Sequence, residues 1–457
     1  MNFSALPLAK PLLKNLDTLG FHSMTDIQQQ SLPDILAGHD VLAQAKTGSG
    51  KTAAFGLGIL HHLKVKQFRI QSLVLCPTRE LADQVAKEIR RLARAIHNIK
   101  VLTLCGGMPI GPQLGSLEHG AHIIVGTPGR IEEHLRKGSL DLRDVTTVVL
   151  DEADRMLDMG FRDVIEDIID FTPSKRQTLL FSATYPKDIL ALSQQYQKQP
   201  KQITVEAVHT NQVITQHFVK TEKQARLETL IGAINHFRPE AGIVFCNTKA
   251  KTAEVAEYLS DHGFSALAIH GDLSQKDRDQ VLVRFANNSC SFLVATDVAA
   301  RGLDIKELPA VINFEMTRDA EVHVHRIGRT GRSGSEGMAI NLFTQSEEYK
   351  VADVEAQLNQ SFTPVSAQEF DGETMQSIVP PMVTLQIDGG KKQKVRPGDI
   401  LGALTKDAGL AGSAIGKIDI FDFNAYVAVE RSVAHKALNA IKNGQIKGKK
   451  FKVRRFR

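Results

Sequence analysis

Val145-Thr146-Thr147-Val148-Val149-Leu150-Asp151-Glu152-Ala153-Asp154 is a β-branched apolar run that ends on carboxylates. Burying an ionised side chain costs on the order of several kcal/mol unless it is paired or bound to a metal. A buried strand ending this way therefore presents its acids to something. Upstream stands Ala45-Lys46-Thr47-Gly48-Ser49-Gly50-Lys51-Thr52. A strand feeding a glycine-rich turn and then a helix aims backbone N–H groups at phosphate oxygens, with the lysine set for the β- and γ-phosphates and the threonine hydroxyl for Mg²⁺. Asp151, at the end of a neighbouring strand, is placed to hold the same metal. Glu152 beside it can orient or deprotonate an attacking water. Gly50-Lys51-Thr52 alone could be an ordinary helix N-terminus, and the strict loop pattern wants glycine where Ala45 stands. The acidic strand end decides in favour of one ATP and Mg²⁺ site made of two halves.

With 457 residues, 42% of them hydrophobic, the chain can bury two or three cores. No apolar run of about 18 residues marks a membrane span, and the first ten residues lack the basic and apolar segments of a secretory signal. A cytoplasmic protein is expected. Cys76, Cys105, Cys246 and Cys290 lie far apart, several in apolar runs, which points to reduced, buried thiols rather than disulfides or zinc. The net charge of +5 is uneven. Residues 381–457 hold 16 Lys/Arg against 6 Asp/Glu, a net +10, and residues 1–380 carry −5. Residues 442–457 have eight basic side chains and no acidic one, an electrostatic footprint for nucleic acid.

Apolar β-branched runs alternate with helical patterns in two blocks, the arrangement of parallel sheets with helices on both faces. Strands are expected at 40–45, 71–77, 101–105, 122–126, 145–150, 177–182 and 202–205, then at 215–219, 242–246, 266–270, 292–295, 310–314 and 338–342. Leu73-Val74-Leu75-Cys76-Pro77-Thr78 and Ile243-Val244-Phe245-Cys246-Asn247-Thr248 are alike, which hints at a shared architecture. The reading divides the chain into 1–207, 208–360, a linker at 361–380 and a third unit at 381–457, with a hinge at 206–211. The third unit reads β-α-β-β-α-β, the split βαβ order of RNA-recognition modules.

An ATP site with one wall is slow, because charge developing on the γ-phosphoryl group calls for a cation; an arginine brought across a cleft raises turnover about 10³–10⁵-fold. His325-Arg326-Ile327-Gly328-Arg329-Thr330-Gly331-Arg332 offers three arginines in the second block. The planar guanidinium bonds two oxygens and stays charged at any working pH.

These motifs resemble, in order over residues 3–332, those of the DEAD-box RNA helicases of superfamily two. The resemblance implies two RecA-like lobes, an RRM-like α+β unit and a set of roles. Gln28 would read adenine, in a motif running from Gly20-Phe21 with Phe3 as the upstream aromatic and Met24 where proline is usual. Ala45, Lys46, Thr47, Gly48, Ser49, Gly50, Lys51 and Thr52 would bind the phosphates, alanine being common at the first position. Thr78 and Arg79 in Pro77-Thr78-Arg79-Glu80-Leu81, Gly106-Gly107, and Thr127, Gly129 and Arg130 would face RNA, as would Gln275, Arg278 and Thr296 in the second lobe. Asp154, Ser182, Thr184 and His325 would couple hydrolysis to strand separation. Asp304, in Arg301-Gly302-Leu303-Asp304, would touch the nucleotide, and Arg329 and Arg332 would be the arginine fingers.

Threonine, glycine and arginine at strand ends suit backbone and 2′-OH contacts that ignore base identity. With no Trp and 6% aromatic residues, a base-stacking platform in the core is not expected. The third unit resembles the RNA-binding domain carried by a bacterial subgroup of the family, implying recognition of a 23S ribosomal RNA hairpin and a role on pre-50S particles in large-subunit assembly. The positions that usually carry stacking aromatics hold Gln386, Val427 and Val429, with Tyr426 nearby. Lys391, Lys392, Lys447, Lys449, Lys450 and Lys452 are the expected contacts. No membrane and no obligate protein partner are expected. An RNA clamp or assembly scaffold that closes without separating strands, and a DNA helicase, are the alternatives.

Overall fold

The computed structural model describes residues 2–45, 48–205, 214–300, 308–331, 336–370 and 378–456. In the first lobe seven strands form one parallel sheet: β1 (Val41–Gln44), β2 (Ser72–Leu75), β3 (Val101–Leu104), β4 (Ile123–Gly126), β5 (Thr147–Asp151), β6 (Gln177–Ser182) and β7 (Lys201–Thr204). Their order is β3-β4-β2-β5-β6-β1-β7. The apolar runs are continuous because both faces are covered. Alternate residues feed two cores: Val41, Ala43, Val74, Val149, Leu179 and Phe181 on one face, and Leu42, Leu73, Leu75, Val148, Leu150 and Leu180 on the other.

The second lobe repeats the plan with β8 (Ile214–Lys220), β9 (Gly242–Phe245), β10 (Ala266–Ile269), β11 (Phe292–Ala295), β12 (Ala310–Asn313), β13 (Gly337–Phe343) and β14 (Val365–Ser366). The order is β10-β11-β9-β12-β13-β8-β14. Numbered from its own first strand, this is the order of the first sheet. The two look-alike hexapeptides sit on β2 and β9, the same place in each lobe. β14 falls within the stretch read as a linker. It pairs with β8, and Phe370 just beyond it is buried in the lobe's core. The hinge residues 206–211 lie outside the described residues.

The C-terminal unit is an antiparallel sheet of β15 (Met382–Ile387), β16 (Ile415–Ile420), β17 (Ala425–Glu430) and β18 (Val453–Arg455), ordered β16-β17-β15-β18. Helices Pro397–Gly402, prolonged by a π turn, and Ala434–Asn443 pack against it. Val427 and Val429 point into this core with Leu385. The opposite face is lined by Gln386, paired with Tyr426, and by Thr384, paired with Ala428. This corrects the placing of Val427 and Val429 on the outer face.

All four cysteines are free and buried. Burial pushes Cys105 up to about 12 and Cys290 to about 11. No helix among the described residues is long and apolar enough to cross a membrane. Packing divides the chain into two compact units, the first lobe in one and the second lobe with the C-terminal unit in the other.

Candidate functional site

The turn after β1 is shaped for close approach. Gly48 and Gly50 have φ of 87° and 98°, a left-handed geometry that costs other residues about 1–2 kcal/mol. Gly50 caps the Lys51–His62 helix, and a Cβ on it would lie 2.5 Å from Gln28 Nε2. Gln28 is buried. Its Oε1 accepts from the Thr25 N–H at 3.0 Å, and its Nε2 donates to the Gly50 carbonyl at 3.1 Å. The amide expected at adenine is thus tied to the phosphate turn. Phe3 is buried and meets the Phe21 ring edge-on at 6.2 Å, with Arg91 over the Phe21 ring.

Ser49 Oγ and Lys51 Nζ are buried with no hydrogen-bond partner among the described residues. An ammonium in that state is strongly unfavourable unless an anion completes it. Ala45, buried, donates its N–H to the Ser182 carbonyl at 3.0 Å, and Thr52 is half-buried one residue into the helix. Lys46 and Thr47 lie outside the described residues.

Asp151 ends β5 at 2% exposure, and its Oδ1 also has no hydrogen-bond partner among the described residues. Burial pushes its carboxyl up to about 6, while nearby Lys51 pulls it down and Glu152 adds to the rise. Glu152 has φ 55° and ψ 51°, a strained left-handed position of the kind that persists where surroundings over-determine it. Its Oε2 lies 3.2 Å from Arg155 Nη1, both side chains nearly buried. Asp154 supplies the surroundings. Its Oδ2 accepts from the N–H of Ala183, the N–H of Thr184 and the Thr184 hydroxyl, each at 3.1 Å. Ser182 Oγ donates to the Thr184 carbonyl at 2.6 Å. Adjacent strands β5 and β6 therefore join the acidic tetrad directly to Ser182-Ala183-Thr184.

At the ends of β2, β3 and β4 the other first-lobe candidates gather. Thr78 caps the Arg79–Leu92 helix, accepting from the Leu81 N–H at 3.3 Å. The Gly106 N–H donates to Thr127 Oγ1 at 3.3 Å, joining two motifs. Gly107 is exposed with φ 74°, and Gly129 faces open space. Arg130 donates to the Met108 carbonyl at 2.9 Å and pairs with Glu133 at 3.0 Å. Arg79 is half-buried.

In the second lobe, Gln275 opens the Gln275–Ala286 helix and donates to Asp279 at 2.7 Å, with Arg278 half-buried one turn on. Thr296, at the end of β11, accepts from the Ala299 N–H at 3.3 Å. The arginine block divides. Arg326 is 2% exposed. Its Nε and Nη2 donate to both oxygens of Asp297 at 2.7 Å. The remaining donors go to Asn313 Oδ1 at 3.0 Å, the Glu315 carbonyl at 2.8 Å and Asn247 Oδ1 at 2.9 Å, and the guanidinium sits over the Phe245 ring. Arg326 is a structural strut fully used by its own lobe. Arg329, 6% exposed, follows the same helix, and its carbonyl accepts from the Leu308 N–H at 3.3 Å. His325 is half-buried on that helix. Arg332 and Asp304 lie outside the described residues. Sequence reasoning missed Arg155, Asn247 and Asn313; only the spacing of Glu152 and Arg155, one helical turn, was a usable signal.

The C-terminal lysines gather at one edge. The Asp388 N–H donates to the Lys452 carbonyl at 2.9 Å, and a Cβ on Gly389 would strike the Phe451 ring at 2.4 Å. The loop with exposed Lys391 and Lys392 thus lies against the segment with exposed Lys447, Lys449, Lys450 and Lys452. Lys447 and Gly448, both with positive φ, turn that segment between Ile446 and Lys449.

Three family models match the chain: DEAD/DEAH box helicase over residues 25–192, helicase conserved C-terminal domain over 222–334, and DbpA RNA binding domain over 384–455. The ATP-dependent RNA helicase DbpA of Escherichia coli (strain K12) is 52% identical over 99% of this chain and 99% of its own. The protein of the same name from Bacillus subtilis (strain 168) is 35% identical over 99% of this chain and 98% of its own. Among solved structures, Saccharomyces cerevisiae Dbp5 bound to RNA and ADP BeF3 is similar with a TM-score of 0.73 and 27% identity, over 81% of this chain and 97% of that one.

Proposed function

Because the chain belongs to the DEAD-box ATP-dependent RNA helicases, in their DbpA-like branch, and is an RNA-dependent ATPase, we propose that it opens short RNA duplexes beside a 23S ribosomal RNA hairpin held by its C-terminal unit, in the cytoplasm, during assembly of the large ribosomal subunit. The observation that carries the chemistry is the trio of buried, unpartnered polar atoms, Ser49 Oγ, Lys51 Nζ and Asp151 Oδ1, beside the Gly48 and Gly50 turn. Two phosphate donors and one carboxylate fit a triphosphate with a divalent cation.

In this reading Gln28, Phe3 and Phe21 hold the adenine end, and residues 45–52 hold the phosphates, with Lys51 on the β- and γ-groups. Thr52 and Asp151 would hold Mg²⁺, which when bound neutralises phosphate charge. Glu152 orients or deprotonates water. Arg329 and Arg332 bring positive charge from the second lobe, and Asp304 contacts the nucleotide. Asp154 links Asp151 and Glu152 to Ser182 and Thr184, so the state of the nucleotide site reaches the RNA-facing strand ends; His325 serves the same coupling. Thr78, Arg79, Gly106, Gly107, Thr127, Gly129, Arg130, Gln275, Arg278 and Thr296 grip RNA by its backbone, and the basic edge at Lys391, Lys392, Lys447, Lys449, Lys450 and Lys452 anchors it. ATP and RNA then strengthen each other's binding, since coupling is reciprocal.

The Glu152–Arg155 ion pair favours a second reading, a clamp that closes on RNA with slow turnover and no strand separation, because a carboxylate held by a guanidinium is turned away from an attacking water. Strand displacement with ATP and with a slowly hydrolysed analogue separates the two. The helicase reading expects displacement in both and recycling only with ATP; absence of displacement in both supports the clamp. Lys51→Ala is expected to lower ATPase about 10²–10³-fold, the scale of losing one charge-stabilising donor, and to abolish unwinding. Unwinding left intact in this variant contradicts the placing of Lys51 on the triphosphate.

A further inference from the structure

Hairpin turns favour glycine, asparagine, aspartate and proline, each of which eases the backbone round the bend. The turn between β16 and β17 closes with the Phe421 N–H on the Asn424 carbonyl at 2.8 Å, leaving Asp422 and Phe423 at its tip. Phenylalanine offers such a bend nothing. Phe423 is 62% exposed and lies outside the unit's hydrophobic cluster, and among the described residues its ring meets no other ring and no cation. The unit's remaining phenylalanine and tyrosine rings are all engaged. Phe421 meets Tyr426 edge-on at 5.4 Å, Phe456 stacks on Tyr426 at 5.9 Å, and Phe451 packs on the core. Tyr426 itself is 4% exposed.

Main-chain bonds hold the tip in place. The N–H groups of Lys391 and Lys392 donate to the carbonyls of Phe421 and Asp422 at 2.8 and 2.9 Å. Gly390 permits this approach, since a Cβ there would lie 2.2 Å from the Phe421 carbonyl oxygen. Phe423 therefore follows directly on a residue bonded to the basic loop, and that loop lies against the segment carrying Lys449, Lys450 and Lys452. Asp388 and Asp422 are exposed on the same edge, where the lysines outnumber them. A ring presented from an ordered turn among lysines suits single-stranded RNA, because the cations track phosphates while the ring takes the face of a base. In an uninterrupted duplex each base is covered on both faces by its neighbours. An unpaired base in a hairpin loop can give one face up.

We infer that Phe423 is the base-stacking residue of the C-terminal unit, taking one unpaired base of the bound RNA while Lys391 and Lys392 hold the adjoining phosphates. The unit then tells a hairpin with an open loop from an uninterrupted duplex by a ring on a turn, rather than by rings on its sheet. The inference rests on the reading that the basic edge binds ribosomal RNA.

The test uses the full chain. It has no tryptophan, so Phe423→Trp places the protein's one indole at the tip, where a stacked base quenches its emission. Saturating 23S ribosomal RNA is expected to quench it strongly, and an uninterrupted RNA duplex to leave it bright. Emission unaltered by 23S ribosomal RNA, or quenched equally by the duplex, overturns the inference. Affinity gives an independent readout. Phe423→Ala should weaken 23S binding about tenfold, the scale of one base–aromatic stack, with the slope of log K against log salt unchanged because no phosphate contact is lost. Lys391→Ala should instead reduce that slope by about one. Phe423→Leu, apolar but without a ring, should bind as weakly as Phe423→Ala. Affinity within about twofold of the parent in either variant, or a loss accompanied by a reduced slope, overturns the stack. Generic-RNA ATPase should be unaltered throughout. A parent protein that binds 23S ribosomal RNA no better than a generic RNA of equal length removes the ribosomal reading, and the inference falls with it.

Discussion

The two lobes share a strand order and differ in what their strand ends do with buried charge. In the first lobe, buried Lys51 and Asp151 and the buried hydroxyl of half-buried Ser49 have polar atoms left without a hydrogen-bond partner among the described residues. In the second, Arg326 is buried just as deeply but satisfied by Asp297, Asn313, Asn247 and a carbonyl. Parallel sheets place their carboxyl ends at a common rim where ligands bind. One rim holds unmet electrostatic demand that a ligand must satisfy. The other meets its demand internally and so gives the following turn, with Arg329, a rigid base.

That contrast can be broken at its strongest point with Arg326→Ala. Removing one partner of a buried ion pair leaves Asp297 uncompensated and costs about 3–5 kcal/mol. In thermal melts the second lobe should unfold first, with the first lobe's transition unmoved. Lys51→Ala, by contrast, should destroy activity without lowering stability. A small effect of Arg326→Ala on melting would mean that its network is incidental.

The lobes should also answer pH in opposite directions. Asp151 titrates near 6 when folded against an ordinary 3.8. Folding takes up a proton between those values, so this group's contribution to stability is present below 3.8 and lost as pH rises through about 6. His323 is buried and its Nε2–H donates to Gln216 Oε1 at 3.0 Å; burial, helped by Arg326, lowers it from 6.5 to about 4. Its contribution is present above 6.5 and lost as pH falls through about 4. Asp151→Asn should therefore raise the stability of the nucleotide-free protein at pH 7.5 by on the order of 2 kcal/mol while abolishing ATPase, and the gain should vanish at pH 4. A gain that persists at pH 4 would sink the assignment of the effect to titration.

How much of this was legible follows from the same physics. β5 and β6 could be read because continuous β-branched runs identify strands covered on both faces. The bonds from Asp154 to residues 183 and 184 could not, since they depend on β5 and β6 being neighbours, which periodicity does not encode. Arg326 resembled its two companion arginines in sequence; its partners come from the ends of three separate strands. On β17 the phase was misjudged because Tyr426 and Ala428 are as buried as Val427 and Val429, so no polar alternation marks the faces. β14 was missed because two residues carry no period. The look-alike hexapeptides did report the repeat, as β2 and β9.

The mildest test compares their matching caps. Thr78 and Thr248 each accept from the N–H three residues on, at 3.3 and 3.2 Å. Replacing either with Ala should cost about 1 kcal/mol of stability. Only Thr78→Ala should also weaken RNA-stimulated ATPase, because only Thr78 is assigned to RNA. Equal losses of stimulation in both variants would make the Thr78 role purely structural.

The most direct measurement is a crystal structure of the full chain with an oligoribonucleotide and a non-hydrolysable ATP analogue. The account expects Lys51 Nζ on the β- and γ-phosphates, Asp151 on the bound cation, and the guanidiniums of Arg329 and Arg332 facing the γ-position from the second lobe. Both arginines turned to solvent, remote from the phosphates, would contradict it.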